Sequence, residues 1–452
     1  MSPARFGTDG VRGVANQDLT AELALALGRA AARVLPAPTF VVGRDTRRSG
    51  PLLQAAFSAG LASEGADVVD LGVLPTPAVA AVAEERQVPG AVISASHNPF
   101  GDNGIKLFSL LGTKLPTEVE SEIERELEAV LADPERPPLR PTGHAVGVIS
   151  TDLAAADHYV AHLEASLEGR RLDGLHVVLD CGNGAASEIA PRVVAELGAR
   201  VTALSTTPDG ANINDRCGST DPSQLSLAVV QHRADLGLAF DGDADRVIAV
   251  DNTGAVVDGD VILALFALDL AERGRLAADT VVVTVMTNLG FRLAMEQRGI
   301  AVRETDVGDR HVLAALDADG LSLGGEQSGH IIFRSLSTTG DGVLTGLALA
   351  DLLLRTGRSL SDLSAGLVER VPQRLVNVPI PRPERLADCA EVWEAVVKAE
   401  AELGHDGRVL LRPSGTEPLV RVMVEARDAV QADEVVRVLA EVVESALGQV
   451  EP

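Results

Sequence analysis

The densest chemistry in the chain is Asp241-Gly242-Asp243-Ala244-Asp245-Arg246, three carboxylates at alternate positions directly after the apolar run Leu236–Phe240. Like charges held this close in a tight loop repel unless a cation sits among them. An all-oxygen donor set favours Mg²⁺ or another hard divalent ion. The calcium-loop pattern fits less well, because its sixth position is Arg246 rather than glycine. A second segment, Ser94-Ala95-Ser96-His97-Asn98-Pro99, also follows an apolar run. Three aspartates leave an open coordination position, and a phosphorylated serine would be both an oxygen ligand and a phosphoryl donor. A Ser–His hydrolase pair competes with this reading but lacks a GxSxG elbow, and a plain Ser/Asn-rich turn remains a further alternative. A third loop, Gly324-Gly325-Glu326-Gln327-Ser328-Gly329-His330, alternates acceptors and donors in the manner that suits a polyol. His330 there is a general base or a satisfied turn histidine. The fourth is Arg412-Pro413-Ser414-Gly415-Thr416-Glu417-Pro418 with Arg421 beyond. Its hydroxyls and backbone N–H groups suit an anion nest, with Arg412 adding bidentate contacts to a phosphate. A Gly-flanked arginine, Arg12, closes the list at Phe6–Gly13. Neither GxxxxGK nor GxGxxG occurs, so nucleotide binding has no support.

These loops need a scaffold, and the pattern around them supplies one. Short apolar runs at Thr39–Gly43, Ala91–Ser94, His176–Asp180, Leu236–Phe240 and Thr280–Met286 read as strands buried on both faces. Helical patterns such as Leu52–Glu64 and Ala190–Leu197 lie between them and end near Gly65 and Gly198. The alternation predicts parallel sheets with crossover helices, and ligands bind at the carboxyl ends of such strands. A strand–loop–helix–Gly–strand unit recurs from Val41, Val177 and Val281, with Gly65, Gly198 and Gly299 ending the helices. Proline-rich or turn-rich boundaries at Asp133–Pro141, Asp251–Gly259 and Val371–Arg385 divide the chain into 1–150, 151–254, 255–370 and 371–452. The last piece reads as α+β, with helices at Leu386–Leu403 and Ala432–Leu447 and a strand at Leu419–Ala426.

Composition narrows the function. Lys+Arg number 39 against 65 Asp+Glu, a formal charge of −26, which argues against nucleic acid or an anionic membrane as the main partner. Aromatic residues are 2% of the 452, so base-stacking platforms are not expected. The three cysteines form no CxxC, which speaks against a disulfide framework or a zinc site. Met1–Gly13 has no apolar signal-peptide core and no run of ~18 apolar residues follows, so a cytoplasmic protein is expected.

A metal loop, a candidate serine, a polyol loop and a phosphate nest on four segments point to phosphosugar chemistry. The strings RFGTDGVRG, ISASHNPFGDNGIK, DGDADR, GGEQSGH and RPSGTEPLVRVMVEA span the whole chain. In this order they resemble the α-D-phosphohexomutase superfamily, and in particular its bacterial branch acting on glucosamine phosphates. The resemblance implies three similar α/β domains and a C-terminal α+β domain around a central cleft. It implies that Ser96 carries a phosphoryl group and, with Asp241, Asp243 and Asp245, holds one Mg²⁺ per chain. Arg12, Lys106 and Arg246 would lie near the transferred group and His330 near the sugar. Glu326 and Ser328 would hold sugar hydroxyls, and Arg412, Ser414, Gly415, Thr416 and Arg421 the non-reacting phosphate. A sugar 1,6-bisphosphate would act as intermediate and activator, in a monomer or homodimer whose product feeds UDP-N-acetylglucosamine and cell-wall synthesis. A mutase for glucose or mannose phosphates, a metal-dependent sugar phosphatase and a non-catalytic phosphosugar sensor stay open beside this. Two positions depart from the family pattern: Ala244, where glycine is commoner, and His311, where tyrosine is expected.

Overall fold

The computed structural model describes residues 6–7, 10–134, 140–414 and 418–448. The chain forms two compact units, one of Met1–Thr284 with Thr305–Ala365 and the other of Val285–Glu304 with Gly366–Pro452.

The first unit carries three sheets built on one plan. In the N-terminal sheet the strands Thr39–Arg44, Asp67–Val73 and Gly90–Ile93 run parallel. Phe40 and Val42 share a core with helices Ala21–Val34, Gly50–Ser63 and Thr117–Ala132, through Leu27, Phe57 and Leu127. On the other face Gly43 lies against Val79 of helix Thr76–Arg86. Helices on both faces explain the uninterrupted apolar run of the central strand. In the second sheet His176–Asp180 lies between Arg200–Leu204 and Leu236–Phe240, all parallel. In the third, Thr280–Thr284 runs parallel to Leu323–Gly325.

The recurrent unit seen in the sequence is present in all three places. Its helices are Gly50–Ser63, Ala186–Glu196 and Leu289–Glu296, followed by strands Asp67–Val73, Arg200–Leu204 and Ala301–Thr305. Gly65, Gly198 and Gly299 each adopt positive φ (96°, 97° and 70°) at the turn out of the helix, a conformation glycine adopts without a Cβ clash. Residues 285–304 of the third copy group with the C-terminal unit rather than with the rest of that copy.

Three expectations need correction. The sheets are mixed, not parallel throughout. Gly90–Ile93, Leu236–Phe240 and Leu323–Gly325 are each followed by an antiparallel partner: Asp102–Phe108, Val247–Asp251 and Ile331–Phe333. The chain therefore reverses direction at each of the three loops that carry chemistry. The helix after His176–Asp180 begins at Ala186 and runs through Pro191 instead of starting at Ala190. In the C-terminal unit Leu386 belongs to a 3₁₀ segment, Pro383–Asp388. Cys389 (ψ 92°) breaks the chain before helix Ala390–Leu403, and the Trp393 indole N–H caps the Leu386 carbonyl at 2.9 Å.

That unit is a three-stranded antiparallel sheet with Leu419–Glu425 between Gln373–Pro379 and Arg408–Pro413. Val420, Val422 and Val424 point to one core with helices Ala390–Leu403 and Ala429–Leu447, the period-2 alternation of a one-sided sheet.

Candidate phosphotransfer site

Each reversal loop leaves the carboxyl end of a buried parallel strand, and in the first unit the loops meet. The Ser96 loop and the Asp241 loop approach so closely that a Cβ at Gly242 would lie 2.5 Å from the Ser96 carbonyl oxygen. This backbone contact brings together residues 145 positions apart. Ser96 is buried, and its hydroxyl donates to Asp241 Oδ2 at 2.6 Å. Carboxylate oxygens of Asp241, Asp243 and Asp245 lie within 4.8 Å of one another, all three residues buried. Among the described residues no hydrogen bond reaches Asp243 Oδ1 or Asp245 Oδ1. Buried acceptors are normally satisfied, so two buried carboxylate oxygens without a hydrogen bond, in a cluster of three carboxylates beside a serine hydroxyl, fit a hard divalent cation.

Cations of the chain surround these acids. Lys106, opposite Val92 across the antiparallel pair, donates from Nζ to Asp243 Oδ2 at 2.6 Å and to Asp245 Oδ2 at 3.4 Å. Arg246 lies 3.7 Å from Asp245 Oδ1 through Nε, while its Nη1 donates to His97 Nδ1 at 3.1 Å. Burial, with Asp245 and Asp243 alongside, pushes Asp241 well above the usual carboxylate range. Burial opposes charge on Asp245 too, but Lys106, His330 and Arg246 outweigh it and hold that carboxyl well below the range. His97 is lowered by burial and then by Arg246 and Arg12. With Arg246 donating to its Nδ1, His97 is the neutral Nε2–H tautomer. Ser96 Oγ also lies 3.3 Å from His97 Nδ1, but that nitrogen accepts from Arg246, and the shorter 2.6 Å bond directs the Ser96 proton to Asp241. Arg12 faces Gly104 on the neighbouring strand, where a side chain would press against the Arg12 stem.

The Glu326 loop belongs to the same unit. Its backbone joins the strand after the Asp241 loop, Val247 N–H donating to Gly329 O at 3.1 Å. Gly329 is at φ 89°, and a Cβ there would lie 2.0 Å from Val247 O. Glu326 Oε1 accepts from Gly308 N–H at 3.2 Å and Oε2 from the Ser328 hydroxyl at 3.3 Å. His330 is buried, with Nδ1 3.8 Å from Asp245 Oδ2 and Nε2 3.7 Å from Asp309 Oδ2. Gly340 N–H donates to Nε2 at 3.0 Å, which assigns the neutral Nδ1–H tautomer. Burial resists charging this ring, yet Asp245, Asp309 and Glu326 together raise it above the ordinary histidine range. His311 is exposed in the first turn of helix Asp309–Asp319.

The C-terminal unit holds the fourth motif. Arg412 and Arg421 face each other across the antiparallel pair. Burial and then the Arg421 charge lower Arg412 from its usual range, the situation an anion would relieve. Ser414 N–H closes the hairpin on Leu419 O at 2.9 Å. Gly415 and Thr416 lie outside the described residues.

Several partners of this site escaped the sequence reading. Thr76 donates to Asp243 Oδ2 at 2.6 Å and its N–H to Asp243 O at 2.9 Å. Asp309 accepts from Lys114 at 2.6 Å besides facing His330. Asp45 and Arg47 lie beneath the Ser96 loop. The polar run Arg44–Gly50 follows the apolar strand Thr39–Arg44, so the strand-end rule that picked out Ser96 picks out this segment as well.

Comparison with known proteins agrees with this assembly. Residues 3–132, 157–254 and 258–371 match the phosphoglucomutase/phosphomannomutase alpha/beta/alpha domains I, II and III, and 375–442 the C-terminal domain of the same family. The phosphoglucosamine mutase of Kineococcus radiotolerans is 54% identical, covering 98% of this chain and 99% of its own. That of Streptomyces coelicolor is 56% identical with the same coverage. A crystal structure of a phosphoglucomutase/phosphomannomutase family protein from Burkholderia thailandensis superposes with a TM-score of 0.81 at 26% identity, covering 99% of this chain and 98% of that one. The chain belongs to the phosphoglucomutase/phosphomannomutase family.

Proposed function

We propose that this chain interconverts glucosamine 6-phosphate and glucosamine 1-phosphate through a phosphoserine at Ser96. The observation that carries the choice of substrate is the 54–56% identity to phosphoglucosamine mutases along 98% of the chain. The serine's role is supported by the 2.6 Å contact of its hydroxyl with Asp241 beside two bare carboxylate oxygens. Phospho-Ser96 gives its phosphoryl group to the free hydroxyl of the sugar phosphate: the serine P–O bond breaks, a sugar P–O bond forms, and a 1,6-bisphosphate results. The intermediate turns around and its other phosphate returns to Ser96. Asp241, Asp243, Asp245 and the phosphoserine would hold one Mg²⁺, which when bound neutralises charge on the phosphoryl oxygens. Lys106, Arg246 and Arg12 position the transferred group and balance its charge, and His330 contacts the sugar. Glu326 and Ser328 hold hydroxyls. Arg412, Ser414, Gly415, Thr416 and Arg421 hold the phosphate that does not react.

In this reading the four functional pieces are 1–150, 151–254, 255–370 and 371–452. A 1,6-bisphosphate primes dephosphorylated enzyme, and the protein works in the cytoplasm, as monomer or homodimer, on the way to UDP-N-acetylglucosamine. The test is a panel of glucosamine, glucose and mannose 6-phosphates with bisphosphate activator, following isomer formation and phosphate release, alongside Ser96→Ala and phosphopeptide mapping. Expected are a preference for glucosamine phosphate of at least about tenfold in kcat/KM, about 1.4 kcal/mol, no net phosphate release, phosphate on Ser96, and an inactive Ser96→Ala. Preference for glucose or mannose phosphate overturns the named substrate. Stoichiometric phosphate release makes the protein a phosphatase, and absence of any turnover leaves a sensor.

A further inference from the structure

Ser96 holds an unusual backbone for a non-glycine residue, φ 52°, in the left-handed region where a Cβ crowds the following carbonyl. Such a conformation persists when its surroundings over-determine it, and the surroundings here are specific. The Ser96 N–H donates to Ser94 Oγ at 3.0 Å, and the Ser94 hydroxyl donates in turn to Asp45 Oδ2 at 2.6 Å. On the other side the Ser96 carbonyl accepts from Arg47 Nη2 at 2.9 Å and from Asn214 Nδ2 at 2.9 Å. The Arg47 guanidinium is fully buried and fans out under the whole loop. It reaches the carbonyls of Asn98 (2.8 Å), Asp102 (3.0 Å) and Pro99, while Nε pairs with Asp45 at 2.9 Å. Asn214 comes from the second sheet's domain and also bonds Asn98 O at 3.1 Å.

We propose that Asp45, Arg47, Ser94 and Asn214 are positioning residues for phosphoryl transfer: they lock the Ser96 peptide in the left-handed conformation that aims Oγ at Asp241. The proposal rests on the phosphoserine reading of Ser96 above. It also gives Ser94 a different task from its neighbour. Buried, with its proton committed to Asp45 and a lone pair committed to the Ser96 N–H, it is the support of the nucleophile and not a second carrier.

The experiment uses the full-length protein loaded with phosphate by a sugar 1,6-bisphosphate. Ser94→Ala and Asn214→Asp are compared with Val41→Ala, a buried apolar change in strand Thr39–Arg44. Readouts are kcat and KM, thermal midpoint, the ³¹P NMR signal of the phosphoserine, and the site of phosphorylation. Because a misplacement of about 1 Å can cost about 10²-fold in rate, Ser94→Ala is expected to lower kcat roughly 10- to 100-fold. Its KM should stay within about twofold, since Ser94 has no place against the sugar, and its ³¹P signal should be shifted or broadened. Asn214→Asp sets a carboxylate against two carbonyl oxygens and is expected to act in the same direction, which keeps the test open if Ser94→Ala fails to fold. Val41→Ala should lower the thermal midpoint with kcat near wild type. Wild-type kcat in both loop variants overturns the proposal, as does an equal loss of kcat in Val41→Ala at the same loss of midpoint. Wild-type protein with no phosphate on Ser96 removes the underlying reading instead, and phosphate on Ser94 overturns both.

Discussion

Asp341 offers a sharp test of the electrostatics behind the site. It caps helix Gly342–Thr356, accepting from Leu344 N–H at 2.9 Å on Oδ1 and from the Tyr159 hydroxyl at 2.8 Å on Oδ2. The side chain is buried, and burial pushes its pKa from 3.8 up to about 6 against the pull of those two donors. At about 1.36 kcal/mol per pH unit, that rise corresponds to about 3 kcal/mol favouring the protonated form of the folded state. Between pH 4 and 6 the native state thus binds more protons than the unfolded chain, so this group's contribution to stability falls as pH rises through that window. It is fully present below the unfolded value and lost above about 6. Asp341→Asn removes the titration while keeping an equally good helix cap, and the Tyr159 hydroxyl can rotate to accept from the new amide. Urea unfolding of both proteins at a series of pH values from 4 to 7.5 should show the variant gaining on wild type by about 1–3 kcal/mol between the ends of the series. A difference independent of pH, or a variant that loses ground as pH rises, would refute the reasoning. Turnover should survive the change, because Gly342 N–H still anchors the aspartate loop through Ala244 O at 3.0 Å.

Other perturbations probe the remaining parts. Ala244 adopts φ 55° in the metal loop, so Ala244→Gly should raise stability by up to about 1 kcal/mol with activity retained, measured by thermal midpoint and turnover. A loss of stability would show that the Ala244 methyl packing outweighs its backbone strain. Exhaustive chelation should abolish turnover and Mg²⁺ should restore it, while Asp243→Ala should keep the fold by circular dichroism yet fail to recover with added metal; unchanged turnover after chelation argues against a metal role. Arg421→Ala should cost about 10- to 150-fold in kcat/KM, the equivalent of one charge-assisted contact at ~1.5–3 kcal/mol, while Ser96 still accepts phosphate. Unchanged KM and kcat/KM would remove Arg421 from the site.

How much of this was legible in the sequence depends on the range of the interaction that decides each feature. The strands that carry Ser96 and Asp241 were readable because burial on both faces writes an uninterrupted apolar run, and the loops were readable because they follow those runs at once. Their antiparallel partners were not. Asp102–Phe108 mixes Asp102, Asn103 and Lys106 with Ile105 and Leu107, and its polar members look outward in a sequence, yet in the fold Lys106 is buried against the aspartates, Asn103 is buried against Ser49 and Asp102 bonds Asn98. The contact between Ser96 and Asp241 depends on Gly242 allowing one loop's backbone to approach the other, and no local pattern announces a close approach across 145 residues. Thr76 was missed for the same reason: it sits at an ordinary helix start and acquires its partner only when the sheets assemble. Arg47 lies in a polar run that the strand-end rule marks, but the rule does not say that its partners are backbone carbonyls of the Ser96 loop in the same sheet.

The two departures from the family pattern separate cleanly once the backbone is known. His311 stands exposed on the first turn of its helix, where a change of side chain alters no described contact of the metal or serine loops. Ala244 is buried in the metal loop itself, between two of the three carboxylates, at positive φ. Glycine is the easier residue there because it meets no Cβ penalty in that region, and alanine is the smallest side chain that can take its place. The loop's carboxylates project from Asp243 and Asp245 on either side, and their oxygens still converge to within 4.8 Å. The substitution therefore acts on the energy of the turn and leaves its donor set intact. A side chain is thus accommodated at position 244 beside the three carboxylates, whereas Gly242, one residue before Asp243 and pressed against the Ser96 carbonyl, has no room for even a methyl group.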